Sequence, residues 1–191
     1  MPWKTQPVDT IGDLPFSFLL MTIAINSVQY LPFSHHDYFL EYFGQVATAE
    51  PGHQFIFIVS NDCRLSWLED PDFIKVMTSP KRTEWNWKAW LYFGLPKIAR
   101  KYKADLVINT GGMCSSRIQL PQWLCISDLS HLSSPHLFTQ RVLRFRNRWI
   151  PAFIRLAGTI LVPSVASSFK TGMRYPGRRR RSQLAITNLI F

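Results

Sequence analysis

The stretch ADLVINTGGMCSSRIQLPQWLCISDLSHL, residues 104–132, decides the fold class. It contains two short apolar runs, 106–108 and 123–126, and each run ends in small or polar residues. Runs that are apolar along their whole length are typical of strands buried on both faces of a parallel sheet. Ligands of such sheets bind at the carboxyl ends of the strands. The polar residues expected at that edge are Asn109, Thr110, Ser127 and Asp128.

The rest of the chain alternates between strand and helix patterns in the same way. Further strands are predicted at 18–25, 54–60, 73–77, 159–162 and 184–191. Helices are predicted at 36–48, 87–103, 138–157 and 164–173, with Pro96 expected to kink or interrupt the second of them. This succession predicts an α/β fold, a doubly wound and mainly parallel sheet with helices on both faces.

The length of 191 residues fits one domain with short flanking segments. Residues 1–16 hold three prolines and no periodicity, so they are interpreted as a flexible N-terminal extension. The domain is predicted to span 17–177. Residues 178–191 begin with four arginines and are interpreted as a basic linker that starts a further region.

The charge of the chain is strongly asymmetric. The formal net charge is +10, and no Asp or Glu occurs between 129 and 191. Such a distribution predicts a polyanionic partner: a phosphorylated ligand, an anionic membrane surface or nucleic acid. The residues predicted to contact an anion or a membrane are Arg141, Arg144, Arg148 and Trp149. The alternative is an ordinary amphipathic helix with a solvated basic side.

Several classes of protein are disfavoured by the sequence. The three cysteines are scattered without metal-ligand spacing, so no metal site is predicted and reduced thiols in the cytoplasm are expected. The most apolar segment, 14–33, is interrupted by Asn26, Gln29 and two prolines, so no transmembrane helix is predicted. Nucleic acid is the least favoured polyanion, because no RNA- or DNA-binding motif is visible.

Five segments, taken in order, resemble a known family. They are TIAINSVQYLP, FLEYFGQVATAEPGHQFIFIVS, ADLVINTGGMC, PQWLCISDLSHLSSPHLF and TILVPSVASSFKTGMRYPG. Together they resemble the N-terminal domain of GT-B glycosyltransferases of the large retaining family called glycosyltransferase family 4, or group 1. The resemblance spans residues 21–190. Relatives often carry His-Asp where this chain has Ser127-Asp128, and a glycine-rich turn where it has PFSHHDY.

The resemblance implies a Rossmann-like domain that forms one half of a GT-B fold. It implies an enzyme that transfers a sugar, with retention and without a metal or other cofactor, from a nucleotide-sugar to a glycan or lipid-linked acceptor. The acceptor would bind to this domain. The nucleotide-sugar would bind mainly to a C-terminal domain that is not expected within these residues. The isolated chain is therefore expected to lack transfer activity, and three interpretations stay open: a fragment, a truncated gene product, or one subunit of a split enzyme whose C-terminal domain is a separate chain. The expected location is the cytoplasm, peripheral on the inner face of the membrane.

Asp128 is the candidate catalytic residue, as a helper base or a ligand for a sugar hydroxyl. The alternative for Asp128 is a turn cap. The residues predicted to bind acceptor are Asn109, Gly111, Gly112, Arg117, Ser127 and His131. For Gly111-Gly112 a plain turn stays open, and for His131 a surface position.

Two other functions stay open at this point. One is a non-enzymatic basic module that binds an anionic membrane or RNA, whose binding would fall steeply as salt rises. The other is a degenerate remnant without activity.

Overall fold

The computed structural model describes residues 6–8, 20–28, 36–61, 63, 65–69, 71–78, 84–126, 129–162 and 183–187. The strands are β1 (Gln6–Val8), β2 (Thr22–Asn26), β3 (Gln54–Ser60), β4 (Ile74–Thr78), β5 (Leu106–Asn109), β6 (Gln122–Cys125), β7 (Thr159–Val162) and β8 (Gln183–Thr187). The α-helices are α1 (His36–Ala49), α2 (Glu84–Ala89), α3 (Leu95–Lys101), α4 (Ser130–Ser133) and α5 (Gln140–Leu156).

The eight strands found among the described residues belong to one sheet, and every neighbouring pair is parallel. Their spatial order is β1-β8-β7-β6-β5-β2-β3-β4. Counted from β2, this is the order 3-2-1-4-5-6 of a doubly wound sheet, extended at one edge by β8 and β1. The chain therefore has the predicted fold class, a Rossmann-like α/β architecture.

Helices cover both faces of the sheet, and each face has its own apolar core. Ile23 and Ile25 of β2 belong to the core beneath α1, whereas Ala24 between them belongs to the core beneath α2, α3 and α5. Alternate residues of a strand point to opposite faces, so a strand covered on both sides needs apolar residues throughout. This explains why the central strands are continuous apolar runs in the sequence.

The helix predicted at 87–103 is present but interrupted. Residues Trp90–Gly94 form a π-helical turn between α2 and α3, in which the Leu95 N–H donates to the Trp90 oxygen. Pro96 has no N–H to continue the α-helical pattern at this point, and π-turns absorb such defects. The side chain of Trp90 lies against Gly94, where a Cβ would be 2.4 Å from the ring. The interruption expected at Pro96 is therefore confirmed and takes the form of a π-turn.

The strands at 54–60 and 159–162 have the predicted bounds, and most other elements differ by one or two residues at their ends. The strand predicted at 184–191 is found at Gln183–Thr187, and its last four residues lie outside the described ones. The helix predicted at 164–173 also lies outside them.

One strand was not expected from the sequence. β1 lies within residues 1–16, for which no regular structure is predicted, and it pairs in parallel with β8 at the edge of the sheet. An edge strand tolerates Pro7 because only one of its sides is paired. Three residues that include a proline are too few to show a periodic pattern, so β1 could not be recognised from periodicity.

Candidate functional site

The candidate site lies between β2 and β5, where the winding of the sheet reverses. From β2 the chain passes to β3 on one side, and from β5 it passes to β6 on the other. Doubly wound sheets bind their ligands in a crevice outside the carboxyl ends of the two strands at such a reversal point, so the ligand crevice of this chain is expected here. Asn26 and Asn109 are the last residues of the two strands and face each other in register.

The side chains of Asn26 and Asn109 are hydrogen-bonded to each other. Nδ2 of Asn26 donates to Oδ1 of Asn109 over 3.0 Å, and the two residues are 3% and 0% exposed. Nδ2 of Asn109 donates to the main-chain oxygen of Trp123 at 3.4 Å. The N–H of Thr110 donates to the main-chain oxygen of Asn26 at 3.1 Å. The predicted site residue Asn109 is thus fixed by neighbours on both sides.

Two polar atoms beside this pair have no hydrogen-bond partner within the described part of the chain. They are Oδ1 of Asn26 and Oγ of Ser27, and Ser27 is 2% exposed. Leaving a buried polar group unpaired costs about 1–3 kcal/mol, so such groups call for a specific explanation. Neither residue is among the predicted site residues, although Asn26 follows an apolar run as Asn109 does. That shared pattern was the signal that would have found them.

The Gly111-Gly112 turn brings the loop after β5 against the loop after β2. A Cβ on Gly111 would lie 3.0 Å from the main-chain oxygen of Val28. Gly112 has a φ of +76°, in the left-handed region that favours glycine. The two glycines thus shape the wall of the crevice, and their contact with a ligand remains a prediction.

A buried glutamine holds the loop that follows these glycines. Oε1 of Gln122 accepts from the N–H of Ser115 at 2.9 Å, and its Nε2 donates to the oxygen of Ser115 at 2.7 Å. Cys114 and Cys125 are buried nearby, and burial raises the pKa of both thiols. None of the chain's three cysteines, all described, is in a disulfide. Thiols of this kind stay protonated and are unsuited to nucleophilic chemistry.

His131 lies in the interior, beside a buried arginine. His131 is 2% exposed and Arg146 is 4% exposed, and Nη1 of Arg146 is 3.4 Å from Nδ1 of His131. A guanidinium can only donate, so Nδ1 accepts and the ring proton of a neutral His131 is on Nε2. The guanidinium carbon also lies 4.9 Å from the ring centre of Phe138. The surface position considered for His131 is wrong, because α5 covers it.

Arg146 is not among the residues that the sequence predicted to bind a ligand or an anion. On a helical projection it lies on the side of Phe153, opposite Arg141 and Arg144. A charged residue on the apolar side of an amphipathic helix was the signal available in the sequence.

The other predicted acceptor residues are not all gathered at the crevice. Ser127 and the catalytic candidate Asp128 lie outside the described residues. Arg117 is exposed and lies over the ring of Tyr92, 5.6 Å from its centre. It lines a cavity of about 530 Å³ together with Lys103 and Ala104, which lead into the start of β5. Arg117 therefore lies near the amino end of β5, whereas Asn109 and Gly111 lie at its carboxyl end.

The four residues predicted to contact an anion or a membrane are brought together. Arg141, Arg144, Arg148 and Trp149 line one cavity of about 410 Å³ between α2 and α5. The α2 residues that complete this cavity were not predicted. They lie more than fifty residues from those of α5 in the sequence, and only the packing of the two helices brings them together.

Two kinds of feature are absent from the described residues. No group of three or more His, Cys, Asp or Glu side chains there is placed to hold a metal ion. None of the described helices has the length and apolar character needed to cross a bilayer.

The fold defines a Rossmann-like α/β protein, with buried polar residues at the reversal point of its sheet. No protein-family model matches the chain, and no curated protein matches it. The resemblance to glycosyltransferases therefore rests on the ordered sequence segments.

Proposed function

We propose that the chain is the acceptor-side domain of a retaining glycosyltransferase of the GT-B type. Its reaction would transfer a sugar from a nucleotide-sugar to a glycan or lipid-linked acceptor. The nucleotide-sugar would bind mainly to a second domain, in this or a separate chain, and no metal or other cofactor is needed. Attachment to the inner face of a membrane belongs to this proposal, because a lipid-linked acceptor lies there.

The observation that carries the proposal is a pair of polar atoms at the reversal point that have no hydrogen-bond partner among the described residues. Oδ1 of Asn26 accepts a hydrogen bond, and Oγ of Ser27 both donates and accepts. Both groups are neutral, which suits the neutral hydroxyl groups of a sugar better than a phosphate or a carboxylate. A sugar hydroxyl bound here would remove the cost of leaving both atoms unpaired.

The acceptor side is tested by saturation-transfer NMR with the methyl α-glycosides of glucose, galactose, mannose and N-acetylglucosamine. We expect saturation transfer to the ring protons of at least one glycoside, and loss of that transfer in Asn26→Ala. Ser27→Ala provides the same test if Asn26→Ala does not fold. Asn147→Ala, an exposed asparagine on α5, is the matched control and should keep the wild-type signal. No transfer to any glycoside from the folded wild type would contradict the proposal.

The catalytic part is tested with a donor-binding domain supplied in the assay. Asp128→Ala should lower turnover by about 10²-fold or more while the protein stays folded, as expected for loss of a general base. Unchanged turnover would remove Asp128 from the site.

A further inference from the structure

The cavity between α2 and α5 combines positive charge with aromatic surface. Its lining is made of four cationic and three aromatic side chains: Trp87, Lys88, Arg141, Arg144, Phe145, Arg148 and Trp149. Its volume of about 410 Å³ falls within the range of small-molecule sites, roughly 300–1,000 Å³. No acidic side chain is among these described lining residues, and the sequence contains none from 129 to 191.

Aromatic rings hold two of the cations in place. Nζ of Lys88 lies 5.6 Å from the ring centre of Trp87 and 5.4 Å from that of Trp149. The guanidinium of Arg148 lies 5.5 Å from the ring centre of Trp149. The rings of Trp87 and Trp149 are themselves packed edge to face, with centres 5.2 Å apart. These cation–π contacts restrict the two side chains before any ligand binds, which lowers the entropy cost of binding.

The start of α5 adds to the positive potential of the cavity. Arg141 and Arg144 lie in the first two turns of this 17-residue helix, whose N-terminal end carries the positive pole of the helix dipole. The side chain of Thr139 caps this end by accepting from the N–H of Val142. Helices of a doubly wound sheet run antiparallel to its strands, so this end of α5 lies toward the carboxyl edge, where the crevice also is.

We propose that this cavity is a binding site for a phosphate ester, with the phosphoryl oxygens on Arg144, Arg148 and Lys88. The organic part of the ligand would rest on Trp149 and Phe145, which are half-buried. The phosphate belongs either to a small molecule or to a lipid headgroup. This inference goes beyond the proposed function and stands on its own, because the cavity binds phosphate whether or not the crevice binds a sugar.

A discrete phosphate fits these observations better than a flat membrane surface does. The cations line one concave cavity, whereas a membrane surface is flat. Trp87 is 5% exposed and packs in the core, so it is not available for insertion among lipid chains. Arginine in particular forms paired hydrogen bonds with phosphate oxygens, and two arginines of this cavity lie one helical turn apart on α5.

Isothermal titration calorimetry with inorganic pyrophosphate and with glycerol 3-phosphate tests the small-molecule source. Cosedimentation with phosphatidylcholine vesicles, with or without 30 mol% phosphatidylglycerol, tests the lipid source. The double variant Arg144→Gln/Arg148→Gln should weaken binding by about tenfold or more, as expected for the loss of charged hydrogen bonds. The matched control Lys97→Gln/Arg155→Gln loses the same charge at exposed positions outside the cavity and should stay within about twofold of wild type.

Each outcome supports or overturns the inference. Cavity-dependent binding of either soluble phosphate supports it with a small-molecule source, and cavity-dependent binding of anionic vesicles alone supports it with a lipid headgroup. If both double variants lose binding equally, the binding depends on overall charge and not on the cavity, and the inference is overturned. Binding of neither the soluble phosphates nor the vesicles by the folded wild type would also overturn it. None of these measurements involves a sugar, so their failure is separate from failure of the proposed function.

Discussion

The side-chain amide of Asn26 donates a 3.0 Å hydrogen bond to the side-chain oxygen of Asn109, across the two strands where the sheet reverses its winding. The bond joins positions 83 residues apart in the sequence. It orients Asn26 so that its own oxygen has no partner within the described residues. The same hydrogen bond therefore stabilises the centre of the sheet and sets which atom of Asn26 is left to bind a ligand.

Removing one member of this pair should destabilise the fold. Asn109→Ala leaves the buried amide of Asn26 unpaired, and we expect the free energy of unfolding to fall by about 1–3 kcal/mol. Urea denaturation followed by circular dichroism measures this change. Asn147→Ala, the exposed control on α5, should change the free energy of unfolding by less than about 0.5 kcal/mol. Equal effects of the two substitutions would show that the buried pair contributes nothing specific.

The buried arginine of α5 should matter more for stability than its exposed neighbours. Arg146→Ala removes the donor to His131 and the contact with Phe138, so we expect a loss of about 1–3 kcal/mol in the free energy of unfolding. Arg144→Ala, on the exposed side of the same helix, should cost less than about 0.5 kcal/mol. Urea denaturation of both variants checks the difference, and an Arg146→Ala protein as stable as Arg144→Ala would refute it.

The crevice turn should require glycine at position 112. Gly112→Ala places a side chain at a φ of +76°, which costs about 1–2 kcal/mol for an L-residue. Gly52→Ala is the matched control, because its nearest contact would be a side-chain atom of Leu20 at 3.7 Å. Thermal unfolding should show a lower midpoint for Gly112→Ala only. A similar midpoint for both variants would mean that the turn relaxes without cost.

The two buried thiols should resist modification. Because burial raises the pKa of Cys114 and Cys125, both remain protonated at pH 8 in the folded protein. We expect Ellman's reagent to label at most one thiol per native chain and three after denaturation. Labelling of all three at the same rate in the native protein would contradict this.

The same raised pKa values predict how stability changes at alkaline pH. The unfolded chain releases these protons near the ordinary thiol pKa of 9.0, whereas the folded chain keeps them. Above that pH the unfolded state therefore binds fewer protons, and the free energy of unfolding should fall as the pH rises. Cys114→Ala should lessen this fall relative to wild type in urea denaturation between pH 8 and pH 10. An unchanged slope would indicate that the folded protein also loses the proton.

The sheet could be predicted because its strands are apolar along their whole length. The runs around Ile56 and Ile108 are buried on both faces, and such runs identify parallel strands before any contact is known. The edge strand Gln6–Val8 could not be predicted in this way, because its pairing depends on backbone groups of β8 far away in the chain.

The candidate site could be predicted only in part, since it depends on which strands are neighbours. Asn109 was visible at the end of its own strand. Asn26 follows an apolar run in the same way, but Asn26 and Ser27 lie beside Asn109 only because β2 is the neighbour of β5, and strand order is not readable from local pattern. The α2–α5 cavity could be predicted only in part for the same reason. The basic residues of α5 were recognised from the sequence, but Trp87 and Lys88, which complete the cavity, come from a different helix.

Stability and sugar binding measured together in Ser27→Ala decide whether the crevice holds a sugar. If the Ser27 hydroxyl is kept unpaired for a ligand, its removal should raise the free energy of unfolding by about 1 kcal/mol and abolish saturation transfer to the methyl glycosides. Ser115→Ala is the control, because that buried hydroxyl donates to the oxygen of Leu91 and accepts from the N–H of Arg117. It should lower stability and leave the glycoside signal unchanged. A Ser27→Ala protein that is less stable than wild type, with its glycoside signal intact, would contradict a sugar-binding role for Ser27.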